Sequence, residues 1–451
     1  MRLIVGLLIV LSGFSAFAQQ VRPTTQTSEP GSELTVYLVT IGPGSEIYER
    51  FAHNAIWIHD RGRGTDVAYN YGVFDMGESG FILRFLQGRM WYWLEEWDAR
   101  QMIDMYRDRF DRSVMVQRLN LTPEQRLKLR GFLAWNARPE NSHYRYDYYT
   151  DNCSTRVRDA LDRVLGGQLQ QQLKAIQTKA TYRDYTRRAM EYDPIMYTAL
   201  YFILGQPVDR PLSAWQECFL PTELQRYVRD VKVVNAAGQQ VPLVDSEMTL
   251  HAGSQPPVPE EPPRWTGYYL LVGVVIGGVI TGLGWLAPMW RMARRMLAVV
   301  SGLWLFVIGV MGTFSAGVWL FTSHVAAYRN ENLLQFSPVA LPLAVVVPAL
   351  VFGAGWARRW SKVTLYGMAF VAGSSVLGLL LKVLPWFGQV NGEMIALVLP
   401  VYLALVGVVY WIGGSRGEVR EAGRTGKKRS KKKGGQGTGV RGRDAEGRRG
   451  E

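Results

Sequence analysis

Cysteine and histidine are scarce in this chain, two and five in 451 residues, and the histidines are scattered. No zinc or other metal centre is expected without ligand spacing, and two cysteines allow one disulfide at most. Excess positive charge is also missing from the first half. The whole chain carries +13, yet residues 19–264 hold 29 Lys and Arg against 31 Asp and Glu, which argues against nucleic acid as a partner. Up to about Pro263 the mature chain is too polar to span a membrane, and no internal repeat is apparent.

The apolar runs lie at the two ends. Arg2, the apolar stretch from Leu3 to Phe14 and Ala16-Phe17-Ala18 read as a secretory signal over residues 1–18. Gln19 follows the cleavage site, so the mature N-terminus is not expected to carry a lipid. From Trp265 onward five stretches are each long enough to cross about 30 Å of hydrocarbon: Trp265 to Ala287, Met296 to Phe321, Val339 to Ala357, Val363 to Leu381 and Met394 to Ile412. Arg291, Arg294 and Arg295, then Arg358, Arg359 and Lys362, then thirteen basic residues in the tail occupy alternate loops. Basic loops stay in the cytoplasm. The orientation that satisfies every loop puts the N-terminal domain outside and the tail inside.

These signals divide the chain into a signal peptide (1–18), an exported domain (19–253), a Pro-rich linker (254–263), a five-helix membrane domain (264–413) and a basic tail (414–451) too polar to fold. The tail reads as a topology determinant near anionic headgroups. In the exported domain, Leu34 to Ile41, Phe51 to Ile58, Val67 to Tyr71 and Val114 to Leu119 have strand composition. Thr122-Pro123-Glu124-Gln125 carries the capping signature of a helix start, and Thr155 to Leu165 has helical spacing. Pro221 opens another helix, and a hairpin turning at Gly238 follows it. The intermixed elements give an α+β or α/β class.

Chemistry is concentrated at Asp151-Asn152-Cys153-Ser154-Thr155-Arg156. A cysteine at a helix start meets unpaired N–H groups and a partial positive charge, which favour thiolate. Cys153 is therefore the candidate nucleophile. The competing account is a disulfide to Cys218, whose apolar surroundings fit packing as a small side chain instead. His53, on a predicted strand, is the candidate base, with a core or surface histidine as the plain alternative. Asn70 on the next strand, beside Tyr69 and Asp75, is the candidate to orient the imidazole. Phe81 to Trp97 is rich in aromatics that fit either a domain core or the membrane interface. The loop from His324 to Leu334, at the outer bilayer surface, is unusually polar for its place.

The segments FAHNAIWI, VAYNYGVFD, YDYYTDNCSTRVRD and HVAAYRNENLL together resemble the Lnb-type bacterial lipoprotein N-acyltransferases, over most of residues 33–410. The order of His, polar residue and Cys is similar to the permuted papain-like fold of NlpC/P60 relatives and of lecithin:retinol acyltransferase. The resemblance implies a permuted papain-like α+β periplasmic domain followed by a five-helix transmembrane bundle in the bacterial inner membrane. It implies Cys153 as nucleophile and His53 as base, a phospholipid as acyl donor and a diacylated lipoprotein as acceptor, with no cofactor. It leaves the third catalytic member open; Asn70 is the choice made here. Tyr69, Asn152, Arg156, His324, Asn330 and Asn332 are expected among the substrate contacts. A cell-wall amidase or peptidase using the same pair, and a non-catalytic binding module with a disulfide, are the alternatives.

Overall fold

A computed structural model describes residues 29–433 of the chain. The expected signal peptide and the last part of the tail lie outside them. The N-terminal domain is built from strands β1 (Leu34–Ile41), β2 (His53–Asp60), β3 (Thr65–Val73), β4 (Trp91–Asp98), β5 (Val114–Leu119), β6 (His143–Arg145) and β9 (Val244–His251). They form one antiparallel sheet in the order β6-β4-β3-β2-β1-β5-β9. β7 (Lys232–Val234) and β8 (Gln240–Pro242) make the separate hairpin expected around Gly238. The class is α+β.

Alternation in β1 distributes its side chains between two cores. Leu34, Val36 and Leu38 join Ile56 and Ile58 on one face, which the Pro123–Asn136 and Cys153–Val164 helices cover. Val39 and Ile41 join Ala55, Ala68 and Val114 on the other, under the Ala99–Asp104 helix. Val157 and Leu161, one turn apart on the Cys153–Val164 helix, are fully buried. Each such side chain contributes roughly 1.5–3 kcal/mol by leaving water. The Thr122 capping box forms in both directions, at 2.9 and 3.3 Å.

The second strand begins at His53 rather than Phe51 because Ala52 takes a left-handed φ of 66°. That turn frees Phe51 to pack away from the sheet. It touches both the membrane-helix core and the Tyr149–Phe219 cluster.

Four helices of the C-terminal part are long and apolar enough to cross a bilayer: Thr266–Leu286, Arg291–Phe321, Ser361–Val383 and Gly392–Ile412. Hydropathy predicts five. The third apolar stretch instead forms a 13-residue helix, Ala340–Phe352, which ends where Gly353 takes φ 78°. At 1.5 Å per residue it spans about 20 Å, and a short helix, Gly355–Arg359, follows. The last helix runs on to Lys433, into the stretch whose composition predicts no fold. Of the two GxxxG patterns in the first membrane helix, only Gly273 and Gly277 meet the last helix. A Cβ there would stand 2.5 and 3.0 Å from the carbonyl oxygens of Leu397 and Pro400, whereas Gly278 and Gly282 face open space.

The two parts are locked together by backbone carbonyls that would otherwise be orphaned at a helix end. The Pro194–Ile203 helix terminates over the membrane loops, where Asn330 Nδ2 donates to the carbonyls of Phe202 and Ile203 (both 3.0 Å) and Asn332 Nδ2 to that of Phe202 (2.8 Å). Gln389 Nε2 donates to Leu204 O at 3.0 Å. Arg183, fully buried, donates to Tyr201, Leu204 and Gly205 carbonyls while paired with Asp209. Glu393 at the start of the last helix accepts from Arg187 and Tyr197.

Candidate active site

Cys153 is the first residue of its helix, as its sequence context predicts. Asn152 caps that helix: its Oδ1 accepts from Thr155 N at 2.9 Å, and Thr155 Oγ1 accepts from Asn152 N at 2.7 Å. Asn152 Nδ2 donates to the carbonyls of Tyr148 and Phe219, both at 2.9 Å. With every polar atom of its amide spent on the protein, Asn152 is a positioning residue. Arg156 is likewise engaged, forming a bidentate pair with Asp151 and lying 4.2 Å over the Tyr144 ring.

The backbone N–H groups of Asn54 and Ser154 favour the thiolate form of Cys153, and the residue after Cys153 is hydrogen-bonded to Asn54 through its hydroxyl. Asn54 immediately follows His53, so the nucleophile's helix start abuts the first residues of β2. A buried clamp holds the two elements there. The Ser154 hydroxyl lies 3.0 Å from Asn54 Oδ1 and 2.7 Å from Cys218 O, while Asn54 Nδ2 donates to Thr40 Oγ1 at 2.9 Å. Both cysteines are free, Cys153 partly exposed and Cys218 buried. The Cys218 thiol donates to Ala214 O at 3.2 Å.

His53 Nε2 lies 3.2 Å from Asn70 Oδ1, and Asn70 Nδ2 is directed at Ala68 O, 3.4 Å away. The amide oxygen therefore faces the ring and can only accept. A proton on His53 Nε2 satisfies that oxygen, and this tautomer leaves the Nδ1 lone pair free as a base. Tyr69 points to the opposite face, buried in the first core beside Ile56.

Electrostatics differ from the simple helix-start expectation. Burial pushes the Cys153 thiol up; the Asn54 and Ser154 N–H groups and the Arg112 guanidinium pull against it without winning. Burial also holds the His53 imidazole down at about 4, against the pull of the Asn70 bond and with Arg112 adding to the effect. The resting pair is thus neutral thiol and neutral imidazole, not thiolate and imidazolium. A base that deprotonates the thiol during attack suits such a pair.

Sequence reasoning missed Arg112. It is 3 % exposed, donates from Nε to Gly42 O at 2.8 Å and faces Glu49 at 3.4 Å, while its Nη2 has no partner. Tyr106 lies between this guanidinium (5.2 Å) and the His53 ring (6.3 Å). The Tyr144 hydroxyl is a second buried donor without a partner, beside Gly72 and Cys153. Nothing in one sequence marks Arg112, which leads into β5 after Asp111 at φ 45°. Asn54 carried a signal: an amide heading the apolar run Ala55 to Ile58 within its strand. Among the described residues no cluster of three His, Cys, Asp or Glu could hold a metal ion.

The expected loop residues go to docking. Asn330 and Asn332 spend their amide N–H groups on the helix end described above. His324 Nε2 lies 2.9 Å from Phe85 O, its ring 6.1 Å from that of Tyr148.

Residues 22–188 match the protein family described as Lnb N-terminal periplasmic domain. No curated protein and no solved structure matches the chain.

Proposed function

We propose that this chain, a member of the Lnb N-terminal periplasmic domain family through residues 22–188, is an inner-membrane lipoprotein N-acyltransferase. His53 Nδ1 removes the Cys153 thiol proton as the sulfur attacks an ester carbonyl of a membrane phospholipid. A carbon–sulfur bond forms, the ester carbon–oxygen bond breaks, and His53 returns the proton to the departing lysophospholipid oxygen. The α-amine of a diacylglyceryl-cysteine lipoprotein then attacks the thioester. Carbon–nitrogen replaces carbon–sulfur, and the amine proton passes through His53 to the sulfur.

The observation that carries this reading is the abutment of the Cys153 helix start on the His53-Asn54 strand start, made by the Ser154–Asn54 hydrogen bond, on the side of the domain where Phe51 packs against the membrane helices. Asn70 fixes the imidazole, and splitting amide formation into two thioester steps lowers each barrier. The N–H groups of Asn54 and Ser154 and the unpartnered Tyr144 hydroxyl and Arg112 Nη2 supply donors for a developing oxyanion. The order His53, Asn70, Cys153, with base and orienter on strands before the nucleophile's helix, supports a permuted papain-like arrangement. The third apolar stretch completes a five-pass topology, its short helix joined to Gly355–Arg359 and ending on Arg358 and Arg359 at the cytoplasmic side, like the tail.

The test is the state of lipoprotein N-termini. Cells whose lipoprotein N-acylation depends on this chain should show three-chain lipoproteins with the wild type and free α-amines with Cys153→Ala. N-acylation that persists in the variant at equal membrane abundance removes the proposal.

A further inference from the structure

The six-residue helix Phe81–Leu86 turns its apolar side outward. Ile82, Leu83 and Leu86 are 66, 60 and 51 % exposed, while Arg84 is drawn back onto Ser79 O and Glu78. Such a patch needs a cover other than water.

Its cover is indicated by what the helix is tied to. Gln87 O accepts from Ser323 N at 2.8 Å, and Phe85 O meets His324 Nε2 at 2.9 Å. At Gly88 a Cβ would stand 2.8 Å from His324 N, so the two backbones are in contact. Ser323 follows the end of the Arg291–Phe321 membrane helix, whose Leu320 and Phe321 are 70 and 81 % exposed. The patch therefore continues the apolar surface of a membrane-spanning helix at its outer end, the depth at which short amphipathic segments bury their apolar side.

The inner side of the same helix begins a series of rings. Phe85 to Phe81 is 6.3 Å between centroids, Phe81 to Phe74 6.0 Å, Phe74 to Tyr92 4.8 Å and Tyr92 to Tyr146 4.3 Å, all near-parallel. Tyr146 and Cys153 pack against the same core, and the Tyr144 ring, 6.5 Å from that of Tyr146, brings its hydroxyl to Gly72 beside the Cβ of Cys153.

We propose that the Phe81–Leu86 helix sits in the outer leaflet and that a phospholipid acyl chain is led from it along Phe81, Phe74 and Tyr92 to Cys153. The second half rests on the acyl-transfer reading; the first does not.

The experiment uses the full chain carrying Cys153→Ala, so that labelling needs no catalysis, in vesicles of phosphatidylethanolamine doped with a phospholipid bearing a diazirine near one acyl-chain end. After irradiation and peptide mapping, adducts are expected on Leu320 and Phe321, on the Ile82–Leu86 segment, and on Phe74 or Tyr92. Met248, 60 % exposed on β9, is expected to stay unlabelled. Labelled Leu320 and Phe321 with a clean Ile82–Leu86 segment, or equal labelling of Met248, overturns the leaflet contact. Adducts on the helix with none on Phe74 and Tyr92 overturn the path. Absence of an acyl adduct on wild-type Cys153 in the same vesicles would instead count against the transferase reading and leave the labelling result standing.

Discussion

A Cβ on Gly72 would stand 3.3 Å from the Cβ of Cys153, and Gly72 holds φ at 89° in a β3 irregularity between Tyr71 and Val73. The strand thus gives way where the nucleophile's helix begins. Gly72→Ala should cost about 1–2 kcal/mol from the left-handed backbone alone and displace Cys153 as well. A lower melting temperature together with slower alkylation of Cys153 is expected; a variant with unchanged alkylation would show that the close approach does not position the sulfur.

The depressed imidazole sets the acid limb. His53 must be neutral to act as base, so acyl-enzyme formation should hold from neutral pH down to about 5 and fall as pH passes about 4. Linkage has the matching sign: between the ordinary histidine value of 6.5 and about 4, the unfolded chain binds the proton more readily. His53 therefore withdraws stability as pH falls through that window, and none further below it. A rate profile with its limb near 6.5 would mean the imidazole is not held in this environment.

Replacing Asn70 separates orientation from charge. Asn70→Ala removes one hydrogen bond, about 1 kcal/mol or roughly a fivefold loss of rate, and moves the acid limb lower, because that bond pulls the imidazole up against burial. Asn70→Asp sets a carboxylate against Nε2–H and should move the limb upward. Equal profiles for the two variants would remove Asn70 from the site.

The docking amides give a different signature. Asn330→Ala leaves the Ile203 carbonyl without its side-chain donor, and replacing Asn330 and Asn332 together by Ala orphans the Phe202 carbonyl as well, at a cost of roughly 1–3 kcal/mol for each orphaned group. Faster proteolysis of the linker at residues 254–263 is expected, with Cys153 alkylation unchanged. Lost activity with unaltered proteolysis would return them to substrate contact.

Much of this was legible in the sequence because it rests on local signals. β1 and β5 run between the residues their composition predicts, and the Thr122 and Asn152 caps form, since each depends on residues a few positions apart. Asn70 was legible only as a polar residue on the strand after His53; its contact with the imidazole is set by the pairing of the two strands. What escaped reading is set by tertiary contact. Burial outweighs the helix-start effect on Cys153, and that burial comes from tyrosines and strands distant in sequence. Arg112 acts through a fold-dependent approach to β2, and Gly353 ends an apolar helix that hydropathy would continue. Asn330 and Asn332 looked like site residues because polar side chains at a bilayer surface need a purpose; a helix end from the other domain supplies it.

The most direct test of the central claim is the intact mass of the full chain after incubation in phospholipid vesicles without a lipoprotein acceptor. The account predicts a fatty-acyl adduct that maps to Cys153, is released by hydroxylamine as a thioester is, and is missing from Cys153→Ala and His53→Ala. A wild-type protein that stays unmodified in phospholipid, or that instead traps a peptidyl group when offered cell-wall peptide, would contradict it.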